Sequence, residues 1–221
     1  DRSAHAAAKD HGLKLIAGSE FTLADGLRLV LLAADREGYG ALCGVITRGR
    51  RAAEKGAYHL ARADLGGLPA GCLALWLPPS PRAGAPSPAD AAWFRAQFPG
   101  RAWLAVELHA DGDEAARCAA LLAFAGAECL PAVAAGDVHM HARSRRAIQD
   151  TLTAIRRRLP LGSGAAGLHP NGERHLRGLA VLRRLYPASL LAATQEVAAR
   201  VRFSLDELRY QYPHELVPPG H

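Results

Sequence analysis

Short apolar runs, each closed by a polar or turn residue and most followed by a helical stretch, recur along this chain, after the first pair at spacings of roughly 30–40 residues. Residues 13–17, 27–33, 72–77, 101–109 and 130–137 are the clearest of them. Each is too short for a buried helix and is bordered by Gly, Pro or Asp, so each predicts a strand. The intervening segments 38–55, 111–128 and 144–156 carry apolar residues at helical spacing. Strands alternating with helices point to an α/β fold of βαβ units, with a parallel sheet or barrel. A hydrophobic content of 49% over 221 residues is enough to fill the core such a fold requires.

The polar residues ending these runs are the first hint of chemistry. Glu20 closes the first strand, Glu107 and His109 lie two apart at the end of a second, and Asp137, His139 and His141 end a third. Strand side chains alternate, so residues two apart share a face, and each of these sets is expected to point one way. Carboxylate and imidazole together suit zinc, manganese or iron, and the carboxyl ends of α/β strands are where sites are usually built. Ser144 then predicts an N-cap for a helix whose Ile148, Leu152 and Ile155 form one apolar face.

Charge is unevenly placed. Of the net +6, the last third carries more than its share, with 13 Lys+Arg against 6 Asp+Glu over residues 142–221. Arg143, Arg145, Arg146, Arg156, Arg157 and Arg158 are therefore candidates for contact with nucleic acid or a protein partner. The bland reading is an arginine-rich composition on solvated faces. Cys43, Cys72, Cys118 and Cys129 form no CxxC pair, which favours buried thiols in a reducing cytoplasm over a disulfide framework. No apolar run reaches the ~18 residues of a membrane span, so no membrane partner is expected.

Several motifs together resemble a known family: GSEF at 18–21, the segment 27–56, WLAVELH at 103–109, the segment 134–156, NGERHL at 171–176 and FSLDELRYQYPHELVPPG at 203–220. They are similar to the amino-terminal PHP (polymerase and histidinol phosphatase) domain of bacterial C-family DNA polymerases, nearest to their error-prone branch. The resemblance implies an α/β fold of the (β/α)7 PHP-barrel type, here incomplete and lacking its first strands, with a C-terminal helical extension. It implies a barrel domain over residues 1–160 and, over 161–221, a helical extension and linker toward the polymerase palm. Glu20, Asp137 and His139 match the family's metal ligands, and Glu107 and His109 lie in the strand that contributes nearby. Two or three such metals (Mn, Zn or Fe) would activate water against a phosphoester.

Two departures bear on that chemistry. The family's opening H-x-H motif would precede Asp1, so the chain reads as a fragment expected to be marginal in isolation. Arg28 stands where metal-binding members tend to carry His, and a guanidinium cannot ligate a metal, so the cluster reads as incomplete. The expected function is a scaffold within an error-prone DNA-directed DNA polymerase used in damage tolerance. The alternative is an active metal-dependent phosphoesterase. Expected partners are the palm and thumb domains, whose own reaction uses Mg, with primer-template DNA, a sliding clamp and mutagenesis-cassette proteins.

Overall fold

A computed structural model describes residues 2–80, 84–110, 112–158 and 168–209. Its centre is a five-stranded mixed sheet in the order β1-β2-β3-β4-β5: Gly18–Thr22, Arg28–Ala33, Cys72–Leu77, Ala102–Glu107 and Ala132–Ala135. β1, β2 and β3 pair antiparallel, while β3, β4 and β5 run parallel. The expected parallel arrangement is thus found over β3, β4 and β5 and is corrected where β2 runs opposite to its neighbours. The cause is the turn at Asp25-Gly26, where Gly26 takes φ +90° and the Asp25 carboxylate accepts from Leu27 N at 3.1 Å. That tight hairpin reverses the chain directly, whereas parallel neighbours need a crossover element.

Seven α-helices are present among the described residues: α1 (Arg2–Asp10), α2 (Arg36–Arg51), α3 (Pro88–Gln97), α4 (Glu114–Ala127), α5 (Arg146–Arg157), α6 (Leu179–Leu185) and α7 (Ala188–Arg200). None is long and apolar enough to cross a membrane. The sheet's two faces differ. On one, Leu29, Leu31, Ala74, Trp76, Leu104 and Val106 are sealed beneath α2, α3 and α4, which contribute Leu42, Val45, Phe94 and Leu121. On the other, Leu73, Trp103 and Val133 pack against Val197 and Val201 at the end of α7, and the Arg200 guanidinium lies 4.9 Å over the Trp103 ring. α7 reaches only part of this second face. Val30, Leu32 and Leu75 remain half-buried there, next to the polar rim described below.

α2 begins at Asp35, whose carboxylate accepts from Gly38 N at 2.8 Å, an N-cap two residues earlier than the periodicity predicts. Gly38 is there because the chain passes close by: a Cβ would stand 2.0 Å from the carbonyl oxygen of Gly71. The expected strand at 13–17 is displaced to Gly18–Thr22, so Glu20 lies at its centre and not at its end. Residues 14–17 join the sheet only through Ala17, whose carbonyl accepts from Ala33 N at 2.9 Å. The amino-terminal helix is held at the other end of the chain, with His5 and Lys9 both on the Asp206 carboxylate at 3.0 Å. All four cysteines are free, but only Cys72 and Cys118 are buried, whereas Cys43 and Cys129 are exposed.

Replacing Gly38 by Ala is expected to destabilise the chain by about 3 kcal/mol, since backbone and not a movable side chain meets the new methyl. A chemical-denaturation midpoint unchanged from wild type would contradict that close approach.

Candidate functional site

Alternation along the strands puts Glu20, Arg28 and Glu107 on the incompletely covered face, because Leu29, Leu31, Leu104 and Val106 take the sealed one. Arg28 reaches across β1 to Glu20, with its Nη2 2.7 Å from Oε1 and its Nε at 3.1 Å from the same oxygen. Glu107 and Asp137 lie close enough to add to the field on Arg28. Burial opposes its charge, but Glu20 and these two carboxylates outweigh that and stabilise the guanidinium. The acidic groups expected to converge do converge.

Beyond β5 the geometry departs from expectation. The strand ends at Ala135, and Asp137 takes φ +40°, so strand alternation no longer sets where the next residues point. A left-handed residue at this position is tolerable for Asp, whose short side chain can bond locally. Asp137 and His139 still meet, with Nε2 3.0 Å from Oδ1. His141 does not join them: it is exposed and borders a shallow groove with Ile148 and Leu152. Ser144 is not a cap either. It lies within a 3-10 turn at Arg143–Arg145, and α5 starts without a side-chain cap.

His109 is buried, and its Nε2 lies 3.1 Å from the carbonyl oxygen of Gly136, tying the end of β4 to the end of β5. Burial and the nearby Arg174 charge both push this imidazole toward its neutral form.

A segment whose part in the site the sequence did not disclose, residues 168–177, lies across the rim. Arg174 Nε donates to Asp137 Oδ2 at 2.7 Å, and the Arg174 carbonyl accepts from His139 N at 2.9 Å. Asn171 donates to the carbonyls of His109 and Ala110 at 2.6 and 3.0 Å, and Arg177 to that of Leu108 at 2.7 Å. His169 lies beside His139, with ring centroids 4.9 Å apart and the planes tilted by 42°. Tyr186 completes the rim from α6, its hydroxyl donating to the Ala135 carbonyl at 2.8 Å and accepting from Leu108 N at 3.3 Å. The NGERHL motif at 171–176 was the available signal, but sequence could not show that its Arg reaches a carboxylate 37 residues away.

The electrostatics follow from burial and from the two guanidiniums. Burial and the neighbouring Asp137 charge push Glu107 up to about 7. Burial alone would raise Asp137 too, but the Arg174 hydrogen bond and the adjacent imidazoles outweigh it and hold that carboxyl below its ordinary value. His169 is pushed down to about 4 by burial and by Arg174.

This donor set does not fit a metal. Glu20 is engaged by Arg28 and Asp137 by Arg174, so fixed positive charge already sits where a cation would need to be. Among the described residues no group of three or more His, Cys, Asp and Glu side chains is arranged to hold one. Chemically, the rim is a charge-compensated, hydrogen-bonded lock between β1, β2, β4, β5 and the 168–177 segment.

Of the six arginines expected to contact nucleic acid or a partner, Arg143 pairs with Glu173. Arg146 pairs with Asp150 at 3.4 Å and donates to the His169 carbonyl at 3.1 Å. Arg145, Arg156, Arg157 and Arg158 are exposed.

Comparison with known proteins adds what the geometry leaves open. The curated relatives are error-prone DNA polymerases. One from Pseudomonas aeruginosa is 55% identical over 215 residues, covering 97% of this chain and 20% of the relative. Those from Dechloromonas aromatica and Methylococcus capsulatus are 52% and 53% identical and cover 98% and 99% of the chain. The chain therefore spans about a fifth of the length of the curated relatives it matches. No family model matches.

Two measurements check the rim. Glu107 titrates near 7 in the fold against an ordinary 4.5, so its contribution to stability is complete below about pH 4.5 and is lost as the pH rises through 7. Urea melts from pH 4 to 8 should show a loss of about 3 kcal/mol that Glu107→Gln flattens. Arg174→Met should cost about 3 kcal/mol at pH 7 by leaving Asp137 buried without its partner, and adding Asp137→Asn should recover part of that loss. Equal melts for the single and double variants would show that the ion pair does not matter.

Proposed function

We propose that this chain is the PHP region of an error-prone DNA-directed DNA polymerase, acting as a structural scaffold whose metal rim has been closed by arginine. The single observation that carries the reading is identity above 50% along nearly the whole chain to polymerases five times its length. On this reading residues 1–160 are an incomplete PHP barrel lacking its first strands, and residues 161–221 are a helical extension and linker toward the palm. The palm and thumb of the same polypeptide and primer-template DNA are the proposed partners. The palm would use Mg for nucleotidyl transfer. Clamp and mutagenesis-cassette proteins are further candidates.

The physical case for a scaffold is the charge arrangement. Glu20, Glu107, His109, Asp137 and His139 are the proposed remnant of a metal centre. A working phosphoesterase needs a cation to bind and acidify water, and that cation would have to displace Arg28 and Arg174 from the carboxylates they neutralise. Retaining two guanidiniums keeps the strand ends drawn together without a cation. The 168–177 segment then serves as a strap fixing the rim's shape.

Metal content and activity separate the two readings. The full polypeptide, purified with Mn, Zn or Fe supplied, should extend a primed template and hold no stoichiometric metal that Asp137→Ala removes. Stoichiometric metal together with a nuclease activity lost in Asp137→Ala would replace the scaffold reading by the phosphoesterase one. Failure to extend any primed template would remove the polymerase reading.

A further inference from the structure

α5 is built inside out. Its Ile148, Leu152 and Ile155 recur at the spacing of one helical stripe, yet they are 49%, 57% and 69% exposed. The opposite side, carrying Arg146, Gln149, Asp150, Thr153 and buried Ala154, is the one turned toward the body. An amphipathic helix normally does the reverse, since burying its apolar stripe is what stabilises it. Here the polar side is engaged within the chain, by the Arg146–Asp150 ion pair and the Arg146 bond to the His169 carbonyl. The apolar stripe thus points outward by construction. It continues into a groove of about 240 Å³ bordered by Met140, His141, Arg145 and Gln149, the size of one or two aliphatic side chains.

The charges around the stripe limit what can cover it. Arg145 and Arg156 flank it on one side, with Arg157 and Arg158 beyond, and all four are exposed. The helix's one acidic residue, Asp150, lies on the far side and is already paired. A second copy docking through the same stripe would bring arginines against arginines. A nucleic-acid backbone would satisfy the arginines but would leave Ile148, Leu152 and Ile155 against phosphate, gaining nothing from the apolar stripe.

We infer that the α5 stripe is a docking face for an acidic, apolar-faced helix from elsewhere in the same, longer polypeptide. The inference rests on the polymerase reading above for that length, since the matched relatives extend well beyond this chain. In the docked state these three exposed side chains would enter a helix-in-groove contact. The exposed arginines would meet the partner's carboxylates at the rim, setting register more than affinity.

Hydrogen exchange on the full polypeptide tests this. Residues 146–157 should exchange at least tenfold slower than an exposed helix, with the same protection at nanomolar and micromolar protein. Leu152→Asp or Ile155→Asp should remove that protection, and one acidic segment outside the 221 residues should lose protection in step. Because both positions are exposed, neither change should disturb the fold, which circular dichroism checks. Arg145→Glu with Arg156→Glu should weaken the protection and reduce its salt dependence. Fast exchange of α5 in the wild type would overturn the inference. So would protection that grows with protein concentration, marking a second copy, or protection that appears only on adding duplex DNA. Primer extension on the same preparations tests the polymerase reading separately: an active polymerase with an unprotected α5 sinks the docking face alone.

Discussion

The strand-borne part of the rim, Glu20, Arg28 and Glu107, follows from alternation in a sheet sealed on one side. Leu29 and Leu31 are completely buried beneath α2, so Arg28 between Phe21's neighbour Glu20 and β3 must emerge on the other face. Leu104 and Val106 impose the same rule on Glu107. Moving any of these strands by one residue would place charge in the apolar layer and leucine at the rim. The core on one face therefore fixes Glu20, Arg28 and Glu107 on the other.

Bringing three carboxylates to one rim is costly unless something offsets their mutual repulsion and desolvation. A divalent cation is one solution. This chain uses two guanidiniums, one from the neighbouring strand and one from a segment that arrives after a long excursion. The compensation is uneven. Asp137, in direct contact with Arg174, stays ionised at neutral pH, whereas Glu107 sits within the field of both arginines and still titrates near 7. The two ion pairs tie β1 to β2 and the end of β5 to the 168–177 segment.

The outward-facing stripe of α5 is the counterpart of this arrangement at the surface. Where the sheet hides leucine and displays charge, α5 seats its charge and displays isoleucine and leucine. A helix of this composition gains little from the contacts it makes within the chain, so its apolar side is a surface whose free energy is realised only on docking.

Four of the five strands were legible because short apolar runs bounded by Gly, Pro and Asp admit few other conformations. The convergence of Glu20, Glu107 and Asp137 was also readable, as was the guanidinium at Arg28. The reversal of β2 was legible too, because Asp-Gly between two apolar runs is a hairpin signal, here Asp25-Gly26. Two matters were decided only by tertiary structure. The outward orientation of α5 depended on which of its two faces found a partner, and sequence spacing describes both faces equally well. Arg174 met Asp137 because a loop folded back over the strand ends, a contact between residues too far apart in the chain for any local pattern to link them.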